Sequence, residues 1–289
     1  MKWRNSRESS NVDDRRGSTG GRVAAGGGIA GVVIYLVYSL LSGNSIDPNQ
    51  VERQLSDNTT QNSPITAEQQ AADEDRAKFV KVVLAETEDV WNKVFSEQGQ
   101  SYTEPVLVLF RDAVQSACGT GTAASGPFYC PGDNKLYIDL SFYEQLQRLT
   151  NNQGGDFSMA YVVAHEVGHH IQNLNGTATK LNRLRSQVNE TEFNKYSVMM
   201  ELQADFLAGV WAHHGQKMKN MLEAGDIEEA LSAANAIGDD RLQKQSTGTV
   251  VPDAFTHGTS AQRVYWFKKG FETGDIRQGD TFNDPSLQN

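Results

Sequence analysis

The run HEVGH at residues 165–169 constrains the fold of this chain more than any other feature. Histidines four positions apart share a face in an α-helix, where they lie one turn apart. Residues 160–164 and Ile171 are apolar, which predicts that this helix is buried. Two imidazoles at this spacing can bind one zinc ion, so His165 and His169 are candidate metal ligands.

Glu166 lies about 100° around the helix from His165, which keeps its carboxylate off the metal. The carboxylate could still accept a proton from a water molecule at the metal and pass it to a leaving amine. Gly168 costs about 1 kcal/mol in a helix interior, so it indicates close approach by another backbone or by the metal site. An exposed helix face with Glu–His contacts is the alternative, which the apolar flanks disfavour.

A second helical segment supplies the third ligand that a catalytic zinc site requires. Glu201 and Asp205 in the run ELQAD are four positions apart and share a face. Glu201 could bind the metal, and Asp205 could accept a hydrogen bond from the far ring nitrogen of a ligand, with His165 as the favoured partner. Two solvated carboxylates are the alternative, which the apolar neighbours of both residues disfavour.

Residues 23–41 carry no charge, and as a helix they span roughly 28 Å, close to the thickness of a bilayer core. Basic residues precede this segment and mainly acidic ones follow it. The positive-inside rule therefore predicts a cytoplasmic N-terminus and a translocated remainder. A cleaved signal peptide is the alternative, which the length of the apolar stretch disfavours. The basic residues are Lys2, Arg4, Arg7, Arg15, Arg16 and Arg22.

The composition divides the chain into four parts. We expect residues 1–22 to be a disordered cytoplasmic basic tail, 23–41 the transmembrane helix, 42–70 a flexible polar linker and 71–289 the folded domain. Within the domain, strands are predicted near 105–110 and 135–140, and the helices outnumber them. This pattern gives an α+β fold with a small sheet and a larger helical part. The predicted helices are 71–99, 157–174, 178–188, 190–214, 217–224, 226–237 and 259–269, with Asp226 and Glu229 in a capping box.

The chain has two cysteines, Cys118 and Cys130. The predicted topology places them in an oxidising compartment, so we expect a disulfide between them that pins the loop before the second strand. Zinc ligation is the alternative, but the spacing does not match a thiolate zinc site.

Four runs occur in order along the chain: SACGTGTAASGPFYCPGDNKLYIDLSFY, AYVVAHEVGHHIQNLNG, ELQADFLAGVWAHH and FTHGTSAQRVYWFKKGFETGD. With them the chain resembles the bacterial neutral zinc metallopeptidase family, whose type member is a predicted single-pass inner-membrane protein. The resemblance implies a zincin-like fold of the gluzincin layout, in which a downstream glutamate is the third zinc ligand. Glu201 takes that role here, and Asp205 holds one of the ligating histidines.

The resemblance also implies two further parts of the site. Gluzincin-like sites often use a histidine or tyrosine to stabilise the oxyanion beside zinc, and His257 is the candidate, with Arg263 and Tyr265 behind it. A loop or helix-cap histidine is the alternative interpretation of His257. Zincins commonly bind a substrate backbone along an edge strand, for which Lys135 to Leu140 is the candidate. No role is expected for His170, His213 and His214.

These features predict a zinc peptidase that cuts extracytoplasmic proteins or peptides, with Glu166 as general base, and that one N-terminal helix holds in the inner membrane. A non-catalytic zinc-binding adaptor in an envelope complex is the alternative, and hydrolysis of a non-peptide amide such as a cell-wall link is a third possibility. The net charge of −10 argues against a nucleic-acid partner. The sequence does not indicate an oligomeric state.

Overall fold

The computed structural model describes residues 1–16, 67–122 and 125–288. Met1–Arg16 and Asp75–Asn289 form one compact unit, which carries the core and the site described below. The predicted transmembrane helix at residues 23–41 lies outside the described residues, as does most of the predicted linker. Within the described ranges, no helix combines the length and the apolar character that a membrane crossing needs.

A four-stranded sheet forms one layer of this unit. The strands of the described residues are β1 (Val12–Asp14), β2 (Val106–Phe110), β3 (Ala113–Ser116), β4 (Gly119–Thr122), β5 (Phe128–Cys130) and β6 (Lys135–Asp139). The sheet order is β1-β2-β6-β5, with β1 and β6 parallel to β2 and with β5 antiparallel to β6. Consecutive residues of β2 and β6 are buried, because both faces of the sheet centre are covered. β3 and β4 form a separate antiparallel hairpin.

Helices make up the larger part, so the predicted α+β fold is confirmed. They are α1 (Ala67–Glu97), α2 (Phe142–Leu149), α3 (Asp156–Leu174), α4 (Thr177–Leu184), α5 (Glu190–Lys219), α6 (Asp226–Ala236), α7 (Asp239–Thr247) and α8 (Ser260–Thr273). The long helix α5 packs against both α3 and α8. It continues without a break to Lys219 and ends at Asn220 in the left-handed conformation, so the separate helix predicted at 217–224 is wrong.

The capping box predicted for Asp226 and Glu229 is also wrong. Gly225 is the N-cap residue of α6, and no side chain caps that end. The carboxylate of Glu229 instead accepts a hydrogen bond from the backbone N–H of Phe157 at 2.9 Å. Glu229 therefore satisfies a free donor in the first turn of α3, the helix that carries the HEVGH run.

The first sixteen residues are ordered, so the predicted disordered tail is wrong for this part of the chain. Their strand β1 extends the sheet at one edge. Trp3 is only 4% exposed, and its indole N–H donates to the carboxylate of Asp156 at 3.0 Å. Its ring packs edge-on against Phe79 of α1, with 5.3 Å between the ring centroids. The buried side chain of Trp3 and the pairing of β1 thus hold this segment against the domain.

The strand predicted to bind substrate is not at the edge of the sheet. β6 lies between β2 and β5 and is hydrogen-bonded on both sides, so the prediction for Lys135 to Leu140 is wrong. β5 is the outermost strand on this side. It also packs against α3, which places the edge of the sheet next to the HEVGH run.

The contact between α5 and α8 is close enough to exclude side chains at two positions. A Cβ atom on Gly209 would collide with the carbonyl oxygen of Phe267, and one on Gly270 would collide with that of Phe206. The collisions are with backbone atoms, which can move only if the helices separate.

We expect Gly209→Ala to lower the free energy of unfolding by about 1 to 3 kcal/mol, as overpacking does in a dense interior. Gly215→Ala on the same helix is the matched control, because a Cβ atom there meets only the flexible end of Met221. Alanine improves helix propensity by about 1 kcal/mol, so the control is expected to be neutral or slightly stabilising. Chemical denaturation checks both variants, and equal midpoints would contradict the close crossing.

Candidate metal centre

The two helices predicted to carry the ligands, α3 and α5, cross at Gly168. A Cβ atom on Gly168 would lie 3.0 Å from the carbonyl oxygen of Ala204 and 3.1 Å from its Cα atom. The predicted close approach by another backbone is therefore confirmed, and α5 supplies that backbone. The crossing brings Glu201 and Asp205 opposite His165.

The ligand atoms of His165, His169 and Glu201 converge on one point. The Nε2 atoms of the two histidines lie 3.2 Å apart. The carboxylate oxygens of Glu201 lie 3.1 Å from Nε2 of His165 and 3.3 Å from Nε2 of His169. Ligands at zinc-binding distance and tetrahedral angles are separated by roughly 3.3 Å. The three side chains therefore have the spacing of a tetrahedral zinc site with one position left open.

Both imidazoles are held in the tautomer that a metal site needs. Nδ1 of His165 lies 2.8 Å from Asp205, and Nδ1 of His169 lies 2.8 Å from the side-chain oxygen of Gln172. Each Nδ1–H donates to its acceptor, so Nε2 of each ring, which faces the common point, is the atom that can bind a metal in place of a proton. The sequence predicted the role of Asp205 but missed Gln172, which is fixed in turn by a bond of 2.7 Å to the carbonyl of Met200.

Asp205 is fully buried at the centre of a hydrogen-bonded network. Arg263 of α8 donates from Nε at 2.8 Å and from Nη2 at 3.0 Å to the two carboxylate oxygens. The hydroxyl of Tyr161 donates to the same carboxylate. Arg263 makes its bonds here and not to His257, and Tyr265 is 55% exposed, so the prediction that both stand behind His257 is wrong.

Electrostatics at the three ligands favour a cation. Burial by itself would lower the pKa of His165, but the charge and hydrogen bond of Asp205, with the bond to Glu201, raise it to about 10. Burial would raise the pKa of Glu201, but the two neighbouring histidines hold it well below its usual range. A site with these shifts stabilises positive charge at the point where the ligand atoms converge. The residues therefore fit a zinc ion by donor type, spacing and charge.

The candidate general base, Glu166, is 8% exposed beside this cluster. Burial raises the pKa of its carboxyl group, although the charges of His169 and His165 act in the opposite direction. The backbone N–H of Tyr129 on β5 lies close enough to the carboxylate to act on this pKa as well, in the lowering direction. A carboxylate with a raised pKa accepts a proton more readily at neutral pH, as a general base must.

His257 lies in the loop before α8, with its side chain 51% exposed. Nδ1 of His257 is 3.2 Å from a carboxylate oxygen of Asp239, which the sequence reasoning missed. The other oxygen of Asp239 accepts the backbone N–H groups of Thr256, His257 and Gly258. The hydrogen bond to Asp239 raises the pKa of His257, and the charge of Glu201 adds to this rise. Asp239 therefore fixes both the loop and the imidazole of His257, at a distance where the charge of Glu201 still acts on that imidazole.

His170, for which the sequence predicted no role, links α3 to the edge strand. Nε2 of His170 donates to the carbonyl of Thr103 at 2.6 Å, and Nδ1 lies 3.1 Å from the hydroxyl of Tyr129. Burial lowers the pKa of His170, which favours the neutral ring, and the hydroxyl of Tyr129 also donates to the side-chain oxygen of Asn134 at 2.9 Å. The backbone of Tyr129 lies beside Glu166, and its hydroxyl lies beside His170. Both of these residues belong to α3, so the two contacts hold β5 against that helix.

The predicted disulfide between Cys118 and Cys130 is present. It joins the turn of the β3–β4 hairpin to the last residue of β5, one residue after Tyr129. The bond therefore anchors the end of the strand that contacts Glu166.

We expect the double variant Cys118→Ser/Cys130→Ser to lose about 2 to 4 kcal/mol of stability, because the reduced chain has more freedom when unfolded. Thermal unfolding with and without a reductant checks this. Reduction should lower the Tm of the parent to that of the variant and leave the variant unchanged. A parent whose Tm does not respond to full reduction would contradict the prediction.

The comparisons with known proteins agree with this geometry. Residues 1–282 match the family described as "putative neutral zinc metallopeptidase". The uncharacterized protein YpfJ of Escherichia coli strain K12 is 45% identical over 98% of this chain and 99% of its own length. An uncharacterized protein of Mycobacterium bovis is 39% identical and covers 74% of each chain. No solved structure was found to match. With a family match over nearly its whole length and the ligand set of a zinc site, this chain belongs to the neutral zinc metallopeptidase family.

Proposed function

We propose that this protein is a zinc-dependent peptidase that hydrolyses peptide bonds at the site formed by α3 and α5. The observation that carries the proposal is the convergence of His165, His169 and Glu201 at tetrahedral spacing. The buried carboxylate of Glu166 beside them supplies the group that a hydrolase needs in addition to a metal.

His165, His169 and Glu201 would hold the zinc ion, and Asp205 and Gln172 would keep the two imidazoles in place. Zinc bound there would lower the pKa of a water molecule and polarise the peptide carbonyl. Glu166 would accept a proton from the water whose oxygen attacks the peptide carbonyl carbon, because burial raises the pKa of its carboxyl group. The same group would then give that proton to the amine that leaves as the C–N bond breaks.

We place the substrate backbone along β5. This strand has an unpaired edge within the described sheet, and Tyr129 brings it into contact with Glu166. An extended peptide can add to such an edge through main-chain hydrogen bonds. The outermost strand thus takes the role that the sequence assigned to Lys135 to Leu140.

His257 is proposed to stabilise the oxyanion of the tetrahedral intermediate. Asp239 raises its pKa, so the imidazole can donate a hydrogen bond to developing negative charge. Its exposure of 51% leaves the ring accessible to a bound peptide.

We propose that the substrates are proteins or peptides outside the cytoplasm. The Cys118–Cys130 disulfide supports this location, since such bonds persist mainly in oxidising compartments. Anchoring by residues 23–41 remains a prediction from their apolar composition.

The purified full-length protein, assayed on unfolded proteins and a peptide library, tests this function. Removal of zinc by a chelator should abolish cleavage, and one equivalent of zinc per chain should restore it. Cleavage that survives complete zinc removal would contradict the proposal. Zinc binding without hydrolysis of any peptide would favour the non-catalytic adaptor.

A further inference from the structure

The N-terminal arm, Met1–Arg16, is held by a hydrogen-bonded strand as well as by apolar contacts. β1 is in register with β2, with Val12 opposite Leu107. The backbone N–H of Leu107 donates to the carbonyl of Asn11 at 2.9 Å, and that of Arg15 donates to the carbonyl of Leu109 at 2.8 Å. The arm therefore completes the backbone bonding of a buried central strand.

The arm also supplies the hydrogen-bond donors and the positive charge that a buried carboxylate of the domain needs. Glu88 of α1 is 2% exposed. Arg7 donates to its carboxylate at 2.9 Å, Asn11 donates at 2.9 Å, and the hydroxyl of Ser9 donates as well. All three donors belong to the arm. A buried carboxylate without partners is strongly destabilising, so the domain needs the arm in place.

The arginines of the arm have acidic partners in the folded unit. Arg4 pairs with Asp75 at 3.1 Å, and Arg7 pairs with Asp89 at 2.7 Å in addition to Glu88. Arg15 and Arg16 pair with acidic residues of the arm itself. These charges have a structural use, so they are weaker support for a cytoplasmic N-terminus than their number suggests.

We infer that the arm and the metallopeptidase domain lie on the same side of the membrane. A chain that crosses a bilayer once between Arg16 and Ala67 would place the arm and the domain on opposite sides. The arm could then form neither the β1–β2 pairing nor the bonds to Glu88. The predicted single-pass topology and the docked arm therefore exclude each other, and the contacts favour the docked arm. This inference does not depend on whether the site hydrolyses peptides.

Cysteine labelling of the full-length protein in bacterial cells tests the inference. Ser10→Cys places a thiol on the exposed surface of the arm, and Ser246→Cys places a matched thiol on the exposed end of α7. Native Cys118 and Cys130 are paired and do not react with maleimides. A maleimide that cannot cross the cytoplasmic membrane is added before and after that membrane is permeabilised.

The two thiols should respond alike: both react in intact cells, or both react only after permeabilisation. Labelling of one thiol in intact cells with protection of the other would overturn the inference. Hydrogen exchange of the purified full-length protein gives a second measurement. The amide of Arg15 should be protected, and the double variant Arg7→Ala/Asn11→Ala should lose that protection. Exchange of Arg15 in the parent at the rate of an unstructured peptide would also overturn the inference.

Discussion

Glu166→Gln should bind one zinc ion per chain as the parent does, and should lose peptidase activity by about 10² to 10⁴-fold in kcat. The amide keeps the size of the side chain but cannot accept a proton. Glu166 lies outside the set of atoms that converge on the metal position, so the zinc content should not change. Metal analysis and kinetics on the same preparation check both halves of this prediction.

Glu192→Gln is a matched control, because Glu192 is exposed in the first turn of α5. It should leave kcat and zinc content within about two-fold of the parent, as expected for a surface substitution. A Glu166→Gln protein that cleaves as fast as Glu192→Gln would show that Glu166 is not the general base. Loss of zinc from Glu166→Gln would show instead that the residue helps to hold the metal.

The largest effect on stability is expected from Asp205→Asn. This change removes the countercharge of Arg263, whose side chain is only 3% exposed and pairs with Asp205 at 2.8 Å. Breaking a buried ion pair by removing one partner costs about 3 to 5 kcal/mol. Denaturant unfolding of parent and variant at neutral pH measures the difference. An unchanged midpoint would contradict the role assigned to this pair.

The contribution of this ion pair to stability should also depend on pH. Burial would raise the pKa of Asp205, but Arg263 and His165 outweigh it and lower the pKa to about 2. The stabilisation is therefore present above the pKa of an unfolded aspartate, about 3.9, and is lost as the pH falls toward 2. The difference in the free energy of unfolding between the parent and Asp205→Asn should become smaller over that pH range.

A double variant separates stability from metal binding. Asp205→Leu/Arg263→Met removes both charges, and replacing a buried ion pair with apolar residues is often neutral or stabilising. Most of the lost stability should return. His165 would still lack its acceptor, so zinc affinity should remain about 10 to 100-fold below that of the parent. Recovery of parental zinc affinity in the double variant would show that Asp205 does not orient His165.

The metal centre was predictable because its chemistry follows helix periodicity. His165 and His169, like Glu201 and Asp205, are four positions apart, and the structure places all four where the sequence put them. Gln172 was missed, although it follows His169 by three positions on the same helix face. Arg263 was assigned to the wrong partner, because a contact between α5 and α8 depends on how two helices pack and not on spacing within one.

The edge of the sheet was less predictable. β5 has three residues in a loop rich in glycine, alanine and threonine, and three residues are too few for alternation to show. The arm was missed because its composition is that of a disordered tail. Its apolar anchors, Met1 and Trp3, are isolated among polar residues. Similarly, α7 is mostly polar and shows no apolar stripe, so its residue pattern does not predict a helix.

We propose that His165, His169 and Glu201 bind a catalytic zinc ion. X-ray absorption at the zinc edge, measured on the purified full-length protein, tests this ligand set. We expect one zinc per chain with two imidazole nitrogens and one carboxylate oxygen at about 2.0 to 2.2 Å. The imidazole signal should be lost in His165→Ala/His169→Ala. A protein without zinc, or a zinc spectrum that is unchanged when both histidines are removed, would show that these residues do not hold the metal.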